Sequence, residues 1–333
     1  MTPESRPTPS IAHMPVSLFA SVMGIGGLAV AWRRAADVFE VTPGVGKALA
    51  WVAFGVFVAV ALAYAAKVAR APRAVAAEWS HPVKMAFVAT IPIAMLVLAA
   101  ALLPEHPRVA EWLWWTGAVG QLIATLAIVR AWIGSPKMRT EHVHPGWFVP
   151  VVGPIVVPLA GVSFASPEVN WFFFSVGLVY WIALFPLVLG RLIAAEPLPP
   201  RLLPTLAILI SPPAVGSIAW VKLGGHWGDP VSTILISVAV FQGILLLSQI
   251  PELRKAPMGP ANWAYTFPLA ALTAALLADA AATGCGVCTW LGVAFLALTS
   301  AVVAWVTLCT LRSIVKRTLL VPDPAPAAAP ATS

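Results

Sequence analysis

Asn262-Trp263-Ala264-Tyr265-Thr266-Phe267-Pro268-Leu269 opens an apolar run that continues to Leu277. A proline inside a membrane-length helix withholds one backbone donor and crowds the preceding turn, so the helix is expected to break near Phe267. In hydrocarbon a broken backbone is tolerated only where its freed carbonyls are buried in protein or face a watery cavity. The stretch therefore predicts a helix that lines a cavity and carries a large aromatic ring at its break.

The remainder of the chain supplies partners for such a helix. Of its 333 residues 60% are hydrophobic and 10% charged, and the mean hydropathy is +0.89. These values exclude a soluble globular chain and specify a polytopic membrane protein. A hydrocarbon core of about 30 Å takes roughly 20 apolar residues per helix. Ten apolar runs fit, at 15–33, 47–68, 84–103, 112–133, 147–165, 171–192, 202–221, 231–250, 263–283 and 287–311. They predict an all-α integral membrane domain over 15–312, between a cytoplasmic segment 1–14 and a disordered, Ala/Pro-rich cytoplasmic tail 313–333. The first run reads as a span and not as a cleaved leader, since Arg33-Arg34 follows it without a small-residue cleavage pattern.

Prolines divide the ten runs into two kinds. Pro92 lies in the third, Pro150, Pro154 and Pro158 in the fifth, Pro212 and Pro213 in the seventh and Pro268 in the ninth, while the first carries Gly24, Gly26 and Gly27. Among the even runs only the sixth has an interior proline, Pro186. The steps from Pro92 to Pro154, Pro212 and Pro268 are 62, 58 and 56 residues, the length of a helical hairpin, so the chain reads as five hairpin repeats. Glu78-x-x-His81-Pro82 and Glu141-x-x-His144-Pro145 repeat one signature 63 residues apart. Broken backbones need a buried or watery setting, so the five odd helices are expected to form an inner ring around a central pore, with the five even helices outside.

Charge sets the orientation. With ten spans, fifteen of the twenty Lys and Arg residues fall on the side of the termini and five on the other, which makes both termini cytoplasmic. The net charge of +7 is then a topology signal suited to anionic lipid headgroups, and it gives no reason to expect nucleic acid as a partner.

Three stretches carry a resemblance. Trp263-Ala264-Tyr265-Thr266-Phe267-Pro268-Leu269, Glu78-Trp79-Ser80-His81-Pro82-Val83-Lys84 with Ile91-Pro92-Ile93 beyond it, and His144-Pro145-Gly146-Trp147-Phe148-Val149-Pro150 occur in the order found in the tellurite-resistance/dicarboxylate transporter family. That family includes bacterial tellurite-resistance proteins and the slow-type anion channels of plant guard cells. The resemblance implies inner and outer rings of five helices, a homotrimer with one pore per protomer, and a plasma (bacterial inner) membrane location. It also implies permeation of small inorganic anions such as chloride and nitrate past a phenylalanine plug at Phe267. Other branches of the family imply the alternative, a secondary carrier or exporter of malate and other C4-dicarboxylates, sulfite or tellurite-related oxyanions.

The chemistry of the runs favours a channel. Ionisable groups at mid-membrane depth are expensive and are kept for function, yet in the odd runs Lys84 and Lys222 stand near helix ends and Asp279 near the outer end of the ninth. A lumen without a buried countercharge holds anions weakly and releases them quickly. Phe267 is the expected gate. Phe19, Phe87, Phe148 and Phe164 are aromatic lining candidates, and Gly24, Pro92, Pro154, Pro212 and Pro268 are kink or lining candidates. His81 and His144 could sense pH, or bind metal with Glu78, Glu141 and His142, but read more simply as helix-start residues, so no metal site and no cofactor are assigned. Cys285-Gly286-Val287-Cys288, between the ninth and tenth runs, permits a disulfide staple; zinc would need two more ligands, and none is near in sequence. Cys309 reads as inert. Trp112, Trp114, Trp115, Trp132, Trp147, Trp171, Trp227 and Trp263 read as interfacial anchors. No phosphate loop, nucleophile elbow or H-E-x-x-H motif offers an enzymatic reading.

Overall fold

The computed structural model describes residues 9–134 and 139–321; Arg6, Lys137 and the tail from residue 322 onward lie outside the described residues. Among the described residues the chain is helical without strands, and nine helices are long and apolar enough to cross a membrane. In order the segments are α1 (Val16–Phe39), α2 (Gly44–Arg70), α3 (Lys84–Leu102), α4 (Pro107–Gly134), the shorter α5 (Pro145–Gly161), α6 (Pro167–Ala194), α7 (Pro200–Lys222), α8 (Pro230–Ser248), α9 (Pro260–Thr283) and α10 (Gly286–Val315). This is an all-α, multi-pass membrane protein.

Burial separates the two kinds of helix. Of the most apolar eighteen residues in α1, α3, α7 and α9, 72, 78, 72 and 83% are buried, against 17, 33, 22, 39 and 33% in α2, α4, α6, α8 and α10. The exposed faces of the second group carry Leu62, Ile123, Ile182, Phe241 and Leu308. Such faces match acyl chains, whereas the first group is apolar all round and packs inside protein.

The same division appears in the backbone. Each odd segment contains a tight 3₁₀ stretch that hands over to α-helix: Val16–Leu18 before Phe19, Lys84–Ala89 before Thr90, Pro145–Trp147 before Phe148, Pro200–Ile210 before Ser211 and Pro260–Tyr265 before Thr266. The expected kink near Phe267 is thus a change of helix type just before it. Runs of 3₁₀ beyond three or four residues are uncommon, yet α7 sustains eleven. Pro204 and Pro212 explain much of this, because neither has the N–H that an α-helix needs. The Ile208 carbonyl instead accepts the Ser211 N–H, three residues on.

Segment α5 is broken most. It alternates 3₁₀ and α pieces, with a second 3₁₀ stretch at Gly153–Val156. Seven residues rising ~2.0 Å and ten rising ~1.5 Å give about 29 Å, close to the ~30 Å hydrocarbon thickness despite the small residue count. Pro154 cannot bond the Pro150 carbonyl, so α4 does so instead: Gln121 Nε2 donates to it at 2.9 Å and Thr125 Oγ1 at 2.6 Å. The Trp114 indole N–H donates to the Val157 carbonyl at 2.9 Å.

That bond corrects part of the tryptophan reading. Trp114, Trp147 and Trp263 are buried at 0, 7 and 2% exposure. Trp263 Nε1 reaches Thr310 Oγ1 on α10 at 3.0 Å, and Trp147 stacks on Trp132 at 4.4 Å. A short sequence distance from a span end concealed the packing of these three, while Trp112 is 76% exposed, as an interfacial anchor would be.

Ion pairs tie helix ends together. Glu105 chelates the Arg33 guanidinium at 2.7 and 2.6 Å and lies 3.7 Å from Lys47. The Arg33 bonds hold the Glu105 carboxyl below its ordinary range. At the opposite end Lys67 Nζ, 1% exposed as a residue, bonds Glu78 Oε1 at 2.7 Å and the Met14 carbonyl at 2.7 Å. Tyr64 OH and the Val16 N–H also donate to Glu78.

Candidate functional site: an apolar chamber between the broken helices

All five odd segments meet around a chamber of about 70 Å³. Its wall includes Ala20 and Met23 of α1, Phe87 and Thr90 of α3, Phe148 and Val152 of α5, Ser211 and Pro212 of α7, and Phe267 and Pro268 of α9. Every lining residue comes from an odd segment. A cavity needs on the order of 10–15 Å³ by the same measure to hold one water, so this one has room for several waters or one small anion. The wall carries no charged side chain, and its polar side chains are Thr90 and Ser211. The Thr90 hydroxyl is already committed, donating to the Phe87 carbonyl at 2.6 Å.

Phe267 sits on this wall, partly buried, one residue into the α-helical part of α9. Its ring rests against α1 at a position where only glycine fits easily. A Cβ built on Gly27 would lie 3.3 Å from Phe267 Cδ2 and 3.0 Å from the Ala270 Cβ. Helices in membranes approach closely where residues are small, and here the small residue makes room for a ring. Gly24, one turn earlier, meets Thr266: a Cβ there would fall 2.6 Å from that residue's own. Pro268 withholds the donor for the Ala264 carbonyl, and Ala264 is itself a wall residue.

The other expected positions divide. Phe87, Phe148 and Pro212 line the chamber with Phe267 and Pro268. Phe19 lies outside the lining and packs edge-on against Phe57 and Tyr64 of α2 at 6.1 and 5.9 Å. Phe164 follows α5 and packs 6.0 Å from Trp114. Pro92 meets α4 at Gly117 and Gly120. Pro154 is buried in the second 3₁₀ stretch of α5, and Gly24 is a helix-contact residue. Sequence reading missed Thr90 and Ser211, which begin the α-helical parts of α3 and α7. The junction is the available signal, since both stand one or two residues before a proline.

Histidines and cysteines take unlike roles. His144 is buried, its Nδ1 accepts the Gly146 N–H at 3.1 Å, and its ring stacks 5.9 Å from Phe87 on the chamber wall. Burial, helped by the charge of Arg191, pushes its pKa down to about 3. Glu78 is engaged by Lys67, and Glu141 lies near the water-facing Arg139 and His142. Cys285 and Cys288 are free thiols here and not a disulfide, with Cys285 Sγ capping α10 by accepting the Cys288 N–H at 3.2 Å.

The family model described as "Voltage-dependent anion channel" matches residues 13–311, which takes in the first nine segments and α10 up to its last four residues. The chain belongs to this anion channel family. Its curated relatives include anion channels, uncharacterized transporters and a tellurite resistance protein. The S-type anion channel SLAH2 of Arabidopsis thaliana is 28% identical, over 83% of this chain and 54% of its own length. The tellurite resistance protein TehA homolog of Haemophilus influenzae is 27% identical, over 78% of this chain and 79% of its own. An uncharacterized transporter of Methanocaldococcus jannaschii is 28% identical over 78 and 82%. The chain spans about half the length of the plant relative. Membership in the anion channel family fixes the coarse class, a multi-pass membrane protein of the anion channel and transporter type.

Proposed function

We propose that this protein is a passive channel for small monovalent anions, chloride and nitrate among them, with ten spans, a pore lined by the five odd segments, and Phe267 as its gate. The observation that carries the reading is the chamber, walled by all five broken helices and by no others, uncharged, and bordered by the Phe267 ring. An anion in such a lumen has no fixed partner to hold it, so affinity is low and exit is fast. Selectivity then follows the ease with which an ion sheds water, aided by a basic mouth on the cytoplasmic side. A benzyl group across a narrow apolar passage also repels water, and a change of rotamer reopens it.

The orientation that goes with this reading puts both termini in the cytoplasm and the 3₁₀ entries of the odd helices at the cytoplasmic face. The proposed setting is a bacterial inner membrane, and the proposed assembly is a homotrimer in which each protomer conducts by itself. The test is current recording from purified protein in planar bilayers with one anion exchanged at a time. Ohmic current with a weak anion series, enlarged by Phe267→Ala, is expected. Saturable, proton-coupled dicarboxylate uptake in proteoliposomes without such current would overturn the reading in favour of a carrier.

A further inference from the structure

At the end of α9 away from the 3₁₀ entries, a second cluster lies outside the chamber. The helix finishes at Thr283, the chain reverses through Gly284 in the left-handed region at φ 71°, and Cys285 caps α10. The reversal is tied internally: Thr283 Oγ1 accepts the Cys285 N–H at 3.3 Å and donates to the Asp279 carbonyl at 2.7 Å. This geometry sets Cys285 and Cys288, one turn apart, over the last turn of α9, where Asp279 points from a buried position. One ligand atom from each of the three, two sulfurs and a carboxylate oxygen, lie within 4.8 Å of one another.

We propose that Asp279, Cys285 and Cys288 form a binding site for a thiophilic divalent cation of the zinc class, with an open fourth position for water. Three arguments converge. Tetrahedral coordination with metal–sulfur bonds of about 2.3 Å separates sulfurs by roughly 3.8 Å, which is compatible with ligand atoms that lie within 4.8 Å of one another. Two sulfurs and one oxygen are a soft-to-borderline donor set that suits zinc or cadmium and disfavours magnesium or calcium. Asp279, 8% exposed as a residue, is the one charged residue of Thr266–Thr283, and none of the ion pairs among the described residues involves it. A buried carboxylate without a countercharge is costly, and a bound cation supplies that charge. Sequence spacing concealed the third ligand because the αL turn at Gly284 folds α9 back on α10. The site is independent of conduction through the chamber.

Binding replaces two thiol protons with two metal–sulfur bonds, so about two protons leave for each cation bound. The experiment uses the full chain in detergent, reduced with a phosphine, stripped by a chelator and titrated with Cd²⁺ while thiolate-to-cadmium ultraviolet absorption and proton release are followed. One Cd²⁺ per chain is expected, displaceable by Zn²⁺, with Cys309→Ser unchanged. The double change Cys285→Ser and Cys288→Ser should remove the absorption. Loss of a group that only supports a ligand commonly costs about 10–100-fold in metal affinity, and a direct ligand contributes no less, so Asp279→Asn, which keeps the side-chain shape, should weaken binding at least ~10-fold while two-thiolate absorption persists at high Cd²⁺. No absorption in the reduced parent protein would overturn the proposal, as would parent-like affinity in Asp279→Asn.

Discussion

Replacing Gly27 by Ala tests the proposed gate from the α1 side. Gly27 faces the Phe267 ring across the α1–α9 contact, and the added Cβ would stand 3.3 Å from Phe267 Cδ2. Carbon pairs settle at about 3.5–4.0 Å, so the ring must retreat by roughly 0.2–0.7 Å. Phe267 lines the chamber of about 70 Å³ and Gly27 does not, so a ring displaced from Gly27 is expected to move into the chamber and narrow it. Overpacking of this kind costs about 1–3 kcal/mol. Phe267→Ala alone removes the ring and should raise anion current at least ~10-fold, equivalent to about 1.4 kcal/mol off the conduction barrier. Gly27→Ala alone should lower current. In the Phe267→Ala background the ring contacts are gone while the Ala270 Cβ stays 3.0 Å away, and the same change should leave current unaltered. The assay is current at matched surface expression for the four proteins of this cycle, and the expected coupling is at least about 0.5 kcal/mol, near twofold in current. Additive effects, or a Phe267→Ala current equal to that of the parent, would refute the placement of the ring across the conduction path.

Three further outcomes follow from other contacts. Breaking a buried ion pair from one side costs about 3–5 kcal/mol; Glu78→Gln should therefore lower the thermal midpoint in detergent markedly, since Lys67 keeps the Met14 carbonyl and the Tyr64 ring 5.5 Å away but loses its countercharge, whereas Lys67→Met with Glu78→Gln together should recover much of the loss. Thr125→Val with Gln121→Leu leaves the Pro150 carbonyl without its two donors and should destabilise by roughly 1–3 kcal/mol, while a midpoint equal to the parent's would show that the α5 break does not need α4. His144, neutral when folded with a pKa near 3, takes up a proton on unfolding below its ordinary ~6.5, so its contribution is full above ~6.5 and falls as the pH drops toward 3, by at most about 1.4 kcal/mol per unit. His144→Asn should flatten that acid slope in denaturation midpoints between pH 7 and 4, and an unchanged slope would place the acid sensitivity elsewhere.

Much of the architecture was legible because its cause is local. A proline without an N–H breaks a helix wherever it falls, and Pro92, Pro154, Pro212 and Pro268 recur at near-equal steps. That periodicity picked out the segments that are buried, and Phe87, Phe148 and Phe267 among them reach the chamber. What was not legible depends on rotation about a helix axis. Phe19 and Phe148 each begin the α-helical part of an odd segment, yet Phe19 turns toward α2 and Phe148 toward the chamber. Trp114 looked like an interfacial residue and is a buried donor to α5. The nearness of Asp279 to Cys285 and Cys288 arises from one positive φ at Gly284. Such facts come from tertiary contacts, which spacing along a chain does not encode.

The hydrogen bonds of the outer helices explain how broken segments can wall an apolar space. Each proline frees a carbonyl, and a carbonyl that faced the lumen would offer a site attractive to cations and unfavourable to anions. The outer helix α4 intercepts one of these groups directly, the Pro150 oxygen freed by Pro154, and outer-helix side chains also add bonds to other carbonyls of the inner segments. Gln121 and Thr125 take the Pro150 oxygen and Trp114 takes that of Val157, while Lys67 takes the Met14 oxygen just before α1. Where no outer helix helps, the 3₁₀ pairing does, as at Ile208. The prolines thus bend the inner segments without filling the chamber with exposed oxygens, leaving Thr90 and Ser211 as its polar side chains. An anion taking the proposed path would meet little that binds it and little that repels it. On the proposed reading the Phe267 ring is the obstacle that separates a closed passage from an open one, and the paired outer-helix change Gln121→Leu with Thr125→Val should alter anion selectivity by leaving the Pro150 carbonyl without either side-chain donor. Reversal potentials that stay the same in chloride and nitrate for this variant would show that the freed carbonyl does not reach the ion path.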